Sequence, residues 1–262
     1  MTQAVEQAAR RAPFSLVSVV GMAYGAACYL FFFATFLYVI GFLADAPFLP
    51  KTVDRAGAST PLLMAVLING GLLTIFAVQH SVMARPAFKR AWTRIVPASL
   101  ERSTYVLAAT LAVALLLWQW RPITDPVWSV TSPVAVVALY AIQALGWGVL
   151  LLSTFLINHF ELFGLRQTFA ALRGKSVPEA QFHTPLLYKH VRHPLYLGFV
   201  IAFWSAPHMS VGHLLFAIGG TGYILVGIFF EERDLVAHFG QKYRDYQKRV
   251  PMLLPFGGRA KN

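Results

Sequence analysis

The sequence predicts an all-α integral membrane protein: a polytopic helix bundle of five to six membrane helices, the last two a hairpin, with a cytoplasmic C-terminal tail. Three observations carry that prediction. Of 262 residues, 57% are hydrophobic and 13% charged, against about 25% charged in an ordinary soluble domain. The apolar residues gather into runs near 15–43, 60–84, 103–120 and 133–157, then two limbs near 194–207 and 211–230. A helical span needs roughly 20 such residues. Lysine and arginine alternate around these runs, with 19 in the N-terminal flank, 85–102, 158–193 and 231–262. Only Lys51, Arg55 and Arg121 fall in the other connections.

That asymmetry is the positive-inside pattern, so both termini and the two long polar segments are expected in the cytoplasm. Topology and attraction to anionic lipid account for the net charge of +11, and nucleic acid is not an expected partner. The single cysteine, Cys28, lies inside an apolar run. Neither a disulfide framework nor a cysteine-rich metal site is possible, and no metal is expected. Arg10-Arg11 and Ala44-Asp45-Ala46 flank the first run as they would flank a cleaved signal. The apolar stretch between them is about twice the length of a signal core, so it reads as a retained helix. Residues 1–157 are expected to form a four-helix membrane region and 158–262 a binding region, together one functional unit.

Taken in order, the first span is rich in aromatic residues, and Gly21, Gly25, Ala26 and Ala27 permit close helix contact. The second ends in Gln79-His80-Ser81, shortly before a helix-breaking Pro86. His80 there answers the negative end of the helix dipole or serves a pocket as ligand or base. The third span offers no ionisable group beyond its ends, and Trp118, Trp120 and Trp128 mark an interfacial aromatic belt. The fourth, with Gly146 and Gly148 as packing residues, is read as continuing into Asn158-His159-Phe160-Glu161-Leu162-Phe163-Gly164-Leu165-Arg166-Gln167. Glu161 pairs with Arg166 at a snorkelling helix end, or these groups serve a site with His159. A turn-rich loop follows at Arg173-Gly174-Lys175-Ser176-Val177-Pro178-Glu179.

The densest polar cluster is Tyr188-Lys189-His190-Val191-Arg192-His193-Pro194, set directly against an apolar limb. Polar groups are costly in such a place and call for a cause. Pro194 suits a first helical turn and disfavours helix at His193. Residues 188–193 are therefore expected to be extended or turning, with backbone groups free to bind a ligand. The glycine-rich second limb, with Gly212, Gly219, Gly220, Gly222 and Gly227, is thin enough for close approach by a neighbour or ligand. Glu231 and Glu232 follow it at the boundary. Carboxylates, histidine and tyrosine beside loop backbone suit a zwitterionic, hydroxyl-bearing, nucleotide-like cofactor.

Three blocks carry a resemblance: Arg192-His193-Pro194 with Tyr196 and Gly198; Glu231-Glu232 with Leu235; and Phe239-Gly240 with Tyr243, Tyr246, Val250-Pro251 and Pro255. In this order they resemble the isoprenylcysteine carboxyl methyltransferase-like superfamily of integral-membrane enzymes, which includes phospholipid methyltransferases. The upstream Gln79-His80-Ser81, Ala84-Arg85-Pro86 and 158–167 segments are similar to the bacterial methanethiol S-methyltransferase family. The resemblance implies S-adenosylmethionine as cofactor, a small apolar thiol as substrate, dimethyl sulfide as product, and a multi-pass protein of the bacterial inner membrane. It implies cofactor binding by Tyr188, His190, Val191, Arg192, His193, Tyr196, Leu197, Glu231 and Glu232. Within that set, His193 and Tyr196 would hold the methionine carboxylate and Glu232 the ribose hydroxyls or amino group. The 188–191 backbone would pair the adenine edge, while Tyr243 and Tyr246 pack the tail.

A thiol attacks as thiolate, so a base is required. The catalytic candidates are His80 and His159 as bases, Glu161 orienting one of them, and Arg166 or Arg192 stabilising the anion. Methylation of a lipid amine or a prenylcysteine carboxylate is the alternative within enzymes, and a haem- or ion-binding membrane protein the alternative outside them.

Overall fold

A computed structural model describes residues 14–57, 59–178 and 181–255. The Arg10-Arg11 flank, Glu179 of the expected loop and the tail beyond Pro255 lie outside the described residues. In chain order the elements are helix α1 (Leu16–Leu43), α2 (Leu62–Ala84), the short α3 (Pro86–Trp92), α4 (Ala98–Gln119), strand β1 (Pro126–Ser129) and α5 (Pro133–Ile157). They continue with α6 (His159–Leu162), α7 (Leu165–Leu172), a single 3-10 turn (Leu186–Lys189), α8 (Pro194–Trp204), β2 (His208–Ser210), α9 (Val211–Phe239) and α10 (Gln241–Arg249).

Among the described residues α1, α2, α4, α5 and α9 are long and apolar enough to cross a membrane, so the protein is an all-α polytopic membrane protein. Leu16, Leu63, Val134 and Phe229 are 65–80% exposed, as side chains that face lipid rather than water should be. Helix α8 has 11 residues, about 16 Å at 1.5 Å per residue, near half the hydrocarbon thickness. The hairpin therefore pairs one short limb with one long one. Helix α9 runs past its expected end at 230 and carries Glu231 to Asp234 on two further turns. It stops at Gly240, whose φ of +59° suits glycine.

The described chain forms two compact units that do not follow its linear order: 14–38, 75–115 and 158–181; and 39–74, 116–157 and 182–255. In the first, Gly25 of α1 meets Thr168 of α7 so closely that an added Cβ would lie 2.8 Å from the threonine Oγ1. Gly164, with φ +89°, abuts Ser103 of α4, where a Cβ would come within 2.5 Å of Oγ. The expected continuation of the fourth span through 158–167 does not form. Asn158 leaves the helix and caps α6 instead, accepting from the Glu161 N–H and donating Nδ2 to Glu161 Oε2 at 2.7 Å. Asparagine competes with helical backbone in this way, and the fourth span ends at Ile157.

In the second unit α5 and α8 touch backbone to backbone. A Cβ on Gly198 would lie 2.6 Å from both the Gly146 carbonyl and the Leu150 N–H, and Gln143 donates to the Ala202 carbonyl at 3.2 Å. Gly146 is a packing residue as expected, while Gly148 meets nothing within 4 Å. Trp120 is also corrected: it is fully buried and donates to the Val53 carbonyl at 3.1 Å, a core anchor and not part of a belt. Trp118 and Trp128 are 70% and 37% exposed. Asn69 grips Arg121 through two backbone bonds of 2.7 and 2.8 Å. Strands β1 and β2 pair antiparallel with Trp128 opposite Met209, a small sheet that the all-α reading did not contain.

Candidate active site

In the second unit the 186–193 segment, the start of α8, the end of α9 and α10 meet around Glu232. Its Oε1 accepts from Arg192 Nε at 2.6 Å and His193 Nε2 at 3.0 Å, with the Tyr243 hydroxyl at 3.5 Å. Its Oε2 accepts from Gln247 Nε2 at 2.8 Å. The Arg192, Glu232 and His193 side chains are 11%, 15% and 4% exposed. Arg192 Nη1 also donates to the carbonyls of Gln247 at 3.0 Å and Val250 at 2.6 Å. Charge-assisted bonds of this length are the strong kind. Glu231, one helical step or about 100° round α9, points elsewhere. It accepts from Tyr196 at 2.8 Å, lies 4.0 Å from His193 Nδ1, and remains 45% exposed.

The backbone of 190–193 is not free as expected. The N–H groups of His190 and Val191 donate to Leu187, that of Arg192 to Pro251, and that of His193 to Met252. Tyr246 donates to the Tyr188 carbonyl at 2.5 Å. Backbone donors pair wherever acceptors lie alongside, and the tail segment supplies two of them here. Tyr243 and Tyr246 are buried as tail anchors, and they also engage the motif. Burial pushes Tyr246 up to about 12, and burial and then the charge on Glu231 raise Tyr188, so both phenols stay protonated donors. His190 is exposed, Val191 buried, and Leu197 half-buried on α8.

In the first unit each candidate histidine carries a tyrosine hydroxyl on Nε2: Tyr29 at 2.8 Å for His159 and Tyr105 at 2.7 Å for His80. His159 is 4% exposed, with the rings of Tyr29, Phe160 and Phe163 at centroid distances of 5.7, 5.3 and 4.9 Å. Burial lowers its pKa, so it is neutral near pH 7. The guanidinium of Arg102 sits 5.0 Å above the Tyr105 ring, and its Nε donates to the Leu162 carbonyl at 2.6 Å. Glu161 does not take the orienting role expected of it. It binds Asn158 and, at 2.5 Å, Arg166, the pairing the sequence offered as its structural alternative. Tyr29, Tyr105, Arg102 and Gln247 were not singled out as site residues in the sequence. The third span, read as chemically silent, supplies Tyr105. A phenol inside an apolar run was the only available signal.

Residues of all three motif blocks meet at one polar cluster in the second unit, and the chain is a membrane enzyme of the methyltransferase class. The chain is 59% identical over 233 residues to a methanethiol S-methyltransferase of Mycobacterium tuberculosis, covering 89% of this chain and 95% of that protein. It is 53% identical to methanethiol S-methyltransferase 2 of Bradyrhizobium diazoefficiens, with 88% of each chain covered. More distantly it is 28% identical to Nurim of Xenopus laevis over 67% of this chain and 64% of that one, which fits the isoprenylcysteine methyltransferase-like grouping. The chain belongs to the methanethiol S-methyltransferase family. No family model and no solved structure matches it.

Proposed function

We propose that the chain methylates methanethiol with S-adenosylmethionine, releasing dimethyl sulfide, in the bacterial inner membrane with both termini cytoplasmic. The observation that carries this reading is identity of 50–59% to several methanethiol S-methyltransferases over most of the chain. The donor chemistry of the 188–232 cluster is compatible with the cofactor. A half-exposed Glu231 beside Tyr196 suits a ligand bearing an amine and a sulfonium.

The bound cofactor supplies an electrophilic methyl group. Glu231 and Tyr196 would hold its polar end, with Val191 and Leu197 beside it. Tyr188 and His190 would add polar contacts. Glu232, Arg192 and His193 order this surface, because Glu232 already accepts from both of the others. His193 and Tyr196 both face carboxylates here, which makes them poor holders of a cofactor carboxylate and good holders of Glu231 and Glu232. The thiol needs a base, and His80 and His159 are the candidates. Glu161 and Arg166 act on the segment that holds His159, through their mutual ion pair.

The test is headspace gas chromatography of dimethyl sulfide from purified protein, S-adenosylmethionine and methanethiol, with cofactor affinity measured by calorimetry. Product requiring both reactants is the expected result. Cofactor binding without product would move the substrate to a lipid amine or prenylcysteine, and no cofactor binding would overturn the methyltransferase assignment for this chain.

A further inference from the structure

We propose that Glu231 makes the 188–232 cluster a charge filter, favouring the sulfonium-bearing methyl donor over the neutral thioether that methyl transfer leaves behind. This rests on the reading of that cluster as the cofactor site and adds to it the residue that tells donor from spent donor.

Glu231 and Glu232 are neighbours in sequence and opposites in electrostatics. Glu232 has its charge matched at close range: Arg192 Nε lies 2.6 Å from its Oε1, and the two side chains are 11% and 15% exposed. Opposite charges held that close present little net field to a third group. Glu231 has a different neighbour. Its Oε2 accepts from the Tyr196 hydroxyl at 2.8 Å, a bond that fixes a carboxylate in place and leaves its charge unmatched. His193 Nδ1 is 4.0 Å away, beyond hydrogen-bond length, and the other nitrogen of that ring meets Glu232 at 3.0 Å. Among the described residues no lysine or arginine pairs with Glu231, and Arg233, two positions on, sits over the Phe230 ring at 5.5 Å. The charge is felt in the motif turn, where after burial it is the next cause that keeps the Tyr188 phenol protonated. At 45% exposure against 15% for Glu232, Glu231 is also the carboxylate of the two that a ligand can reach.

The reaction changes the charge that this carboxylate meets. As the thiolate sulfur bonds to the methyl carbon, the bond from that carbon to the donor sulfur breaks with its electron pair, and a sulfonium becomes a neutral thioether. Donor and spent donor thus differ by one methyl group and one positive charge. Burying a methyl group changes affinity by about fourfold at most. A fixed, unmatched carboxylate reads the charge instead, so the spent donor is held less tightly and the site clears after each turnover.

The experiment is calorimetry of the full-length protein in lipid nanodiscs with S-adenosylmethionine, S-adenosylhomocysteine and sinefungin. Sinefungin carries a protonated amine where the sulfonium stands and no transferable methyl group, which separates charge from methyl contact. The parent should bind the two cations about tenfold more tightly than the neutral thioether, the Coulombic effect of one carboxylate discounted for its exposure. Glu231→Gln keeps the shape and an acceptor for Tyr196; it should lose that preference while holding the neutral ligand within about twofold of the parent. Retained affinity for the neutral ligand also reports that the variant is folded. Glu231→Asp keeps the charge and should keep a preference for the cations. A preference that survives unchanged in Glu231→Gln, equal losses for all three ligands, or a parent that binds the thioether as tightly as the cations would each overturn the proposal and leave the cofactor site standing. A parent that binds none of the three would overturn the cofactor reading and the proposal with it.

Discussion

Glu232 and His159 are both buried polar groups, built on different logic. Glu232 accepts from Arg192, His193, Gln247 and Tyr243, and these bonds tie the motif turn and α10 to α9. His159 meets a phenol on one nitrogen within a wall of rings. A carboxylate whose accepting positions are taken up in this way has little capacity for a ligand and much for holding segments together. His159 is a candidate base for the thiol, and its bond to Tyr29 links α6 to α1. Loss of Glu232 should therefore act on assembly and affinity, and loss of His159 on rate.

The comparison breaks most completely at Gly198. A leucine side chain there would drive its first carbon to within 2.6 Å of the Gly146 carbonyl, a backbone contact that cannot yield. Gly198→Leu should give no monodisperse, cofactor-binding protein by size exclusion and calorimetry. Next comes Glu232→Ala, which strands a guanidinium that is 11% exposed. Breaking a buried pair costs about 3–5 kcal/mol, so thermal unfolding in detergent should shift down and cofactor affinity should be lost together. His159→Ala should leave cofactor affinity near the parent value and lower kcat by about 10²–10⁴-fold. Equal losses of affinity in these last two variants would erase the distinction.

Acidity sharpens it. Burial holds the His159 pKa below its ordinary 6.5, so between the two values the unfolded chain binds more protons than the folded one. Stability contributed by the neutral ring is present above about pH 6.5 and is lost as pH falls below that value. A melting-temperature profile against pH should be flatter in His159→Gln than in the parent over that range. The smallest expected effects are on single bonds. Tyr246→Phe removes the donor to the Tyr188 carbonyl and should cost about 1 kcal/mol. Arg166→Ala breaks a pair whose side chains are 40% and 28% exposed and should cost about 0.5 kcal/mol by the same unfolding measurement.

Much of the architecture was legible because a bilayer imposes a length. Runs at 15–43, 60–84 and 133–157 became Leu16–Leu43, Leu62–Ala84 and Pro133–Ile157 with little change. The motif blocks likewise pointed to one cluster. Pairings were less legible because they are not local. Tyr29 and His159 are 130 residues apart, Tyr105 and His80 25 apart, and no spacing rule links such positions. Trp120 looked interfacial by its place at a span end, yet its indole found the Val53 carbonyl and a full core. The break at Asn158 depended on a side chain preferring a cap over a helical turn, a choice that propensity leaves nearly balanced.

The carbonyls of Pro251 and Met252 that receive the Arg192 and His193 N–H groups carry a further consequence for biosynthesis. A nascent chain that has threaded every apolar helix into the bilayer still lacks the segment that finishes the 188–193 turn. Insertion and maturation are thus separate events, and a ribosome stalled after α9 would leave a membrane-integrated but incomplete protein.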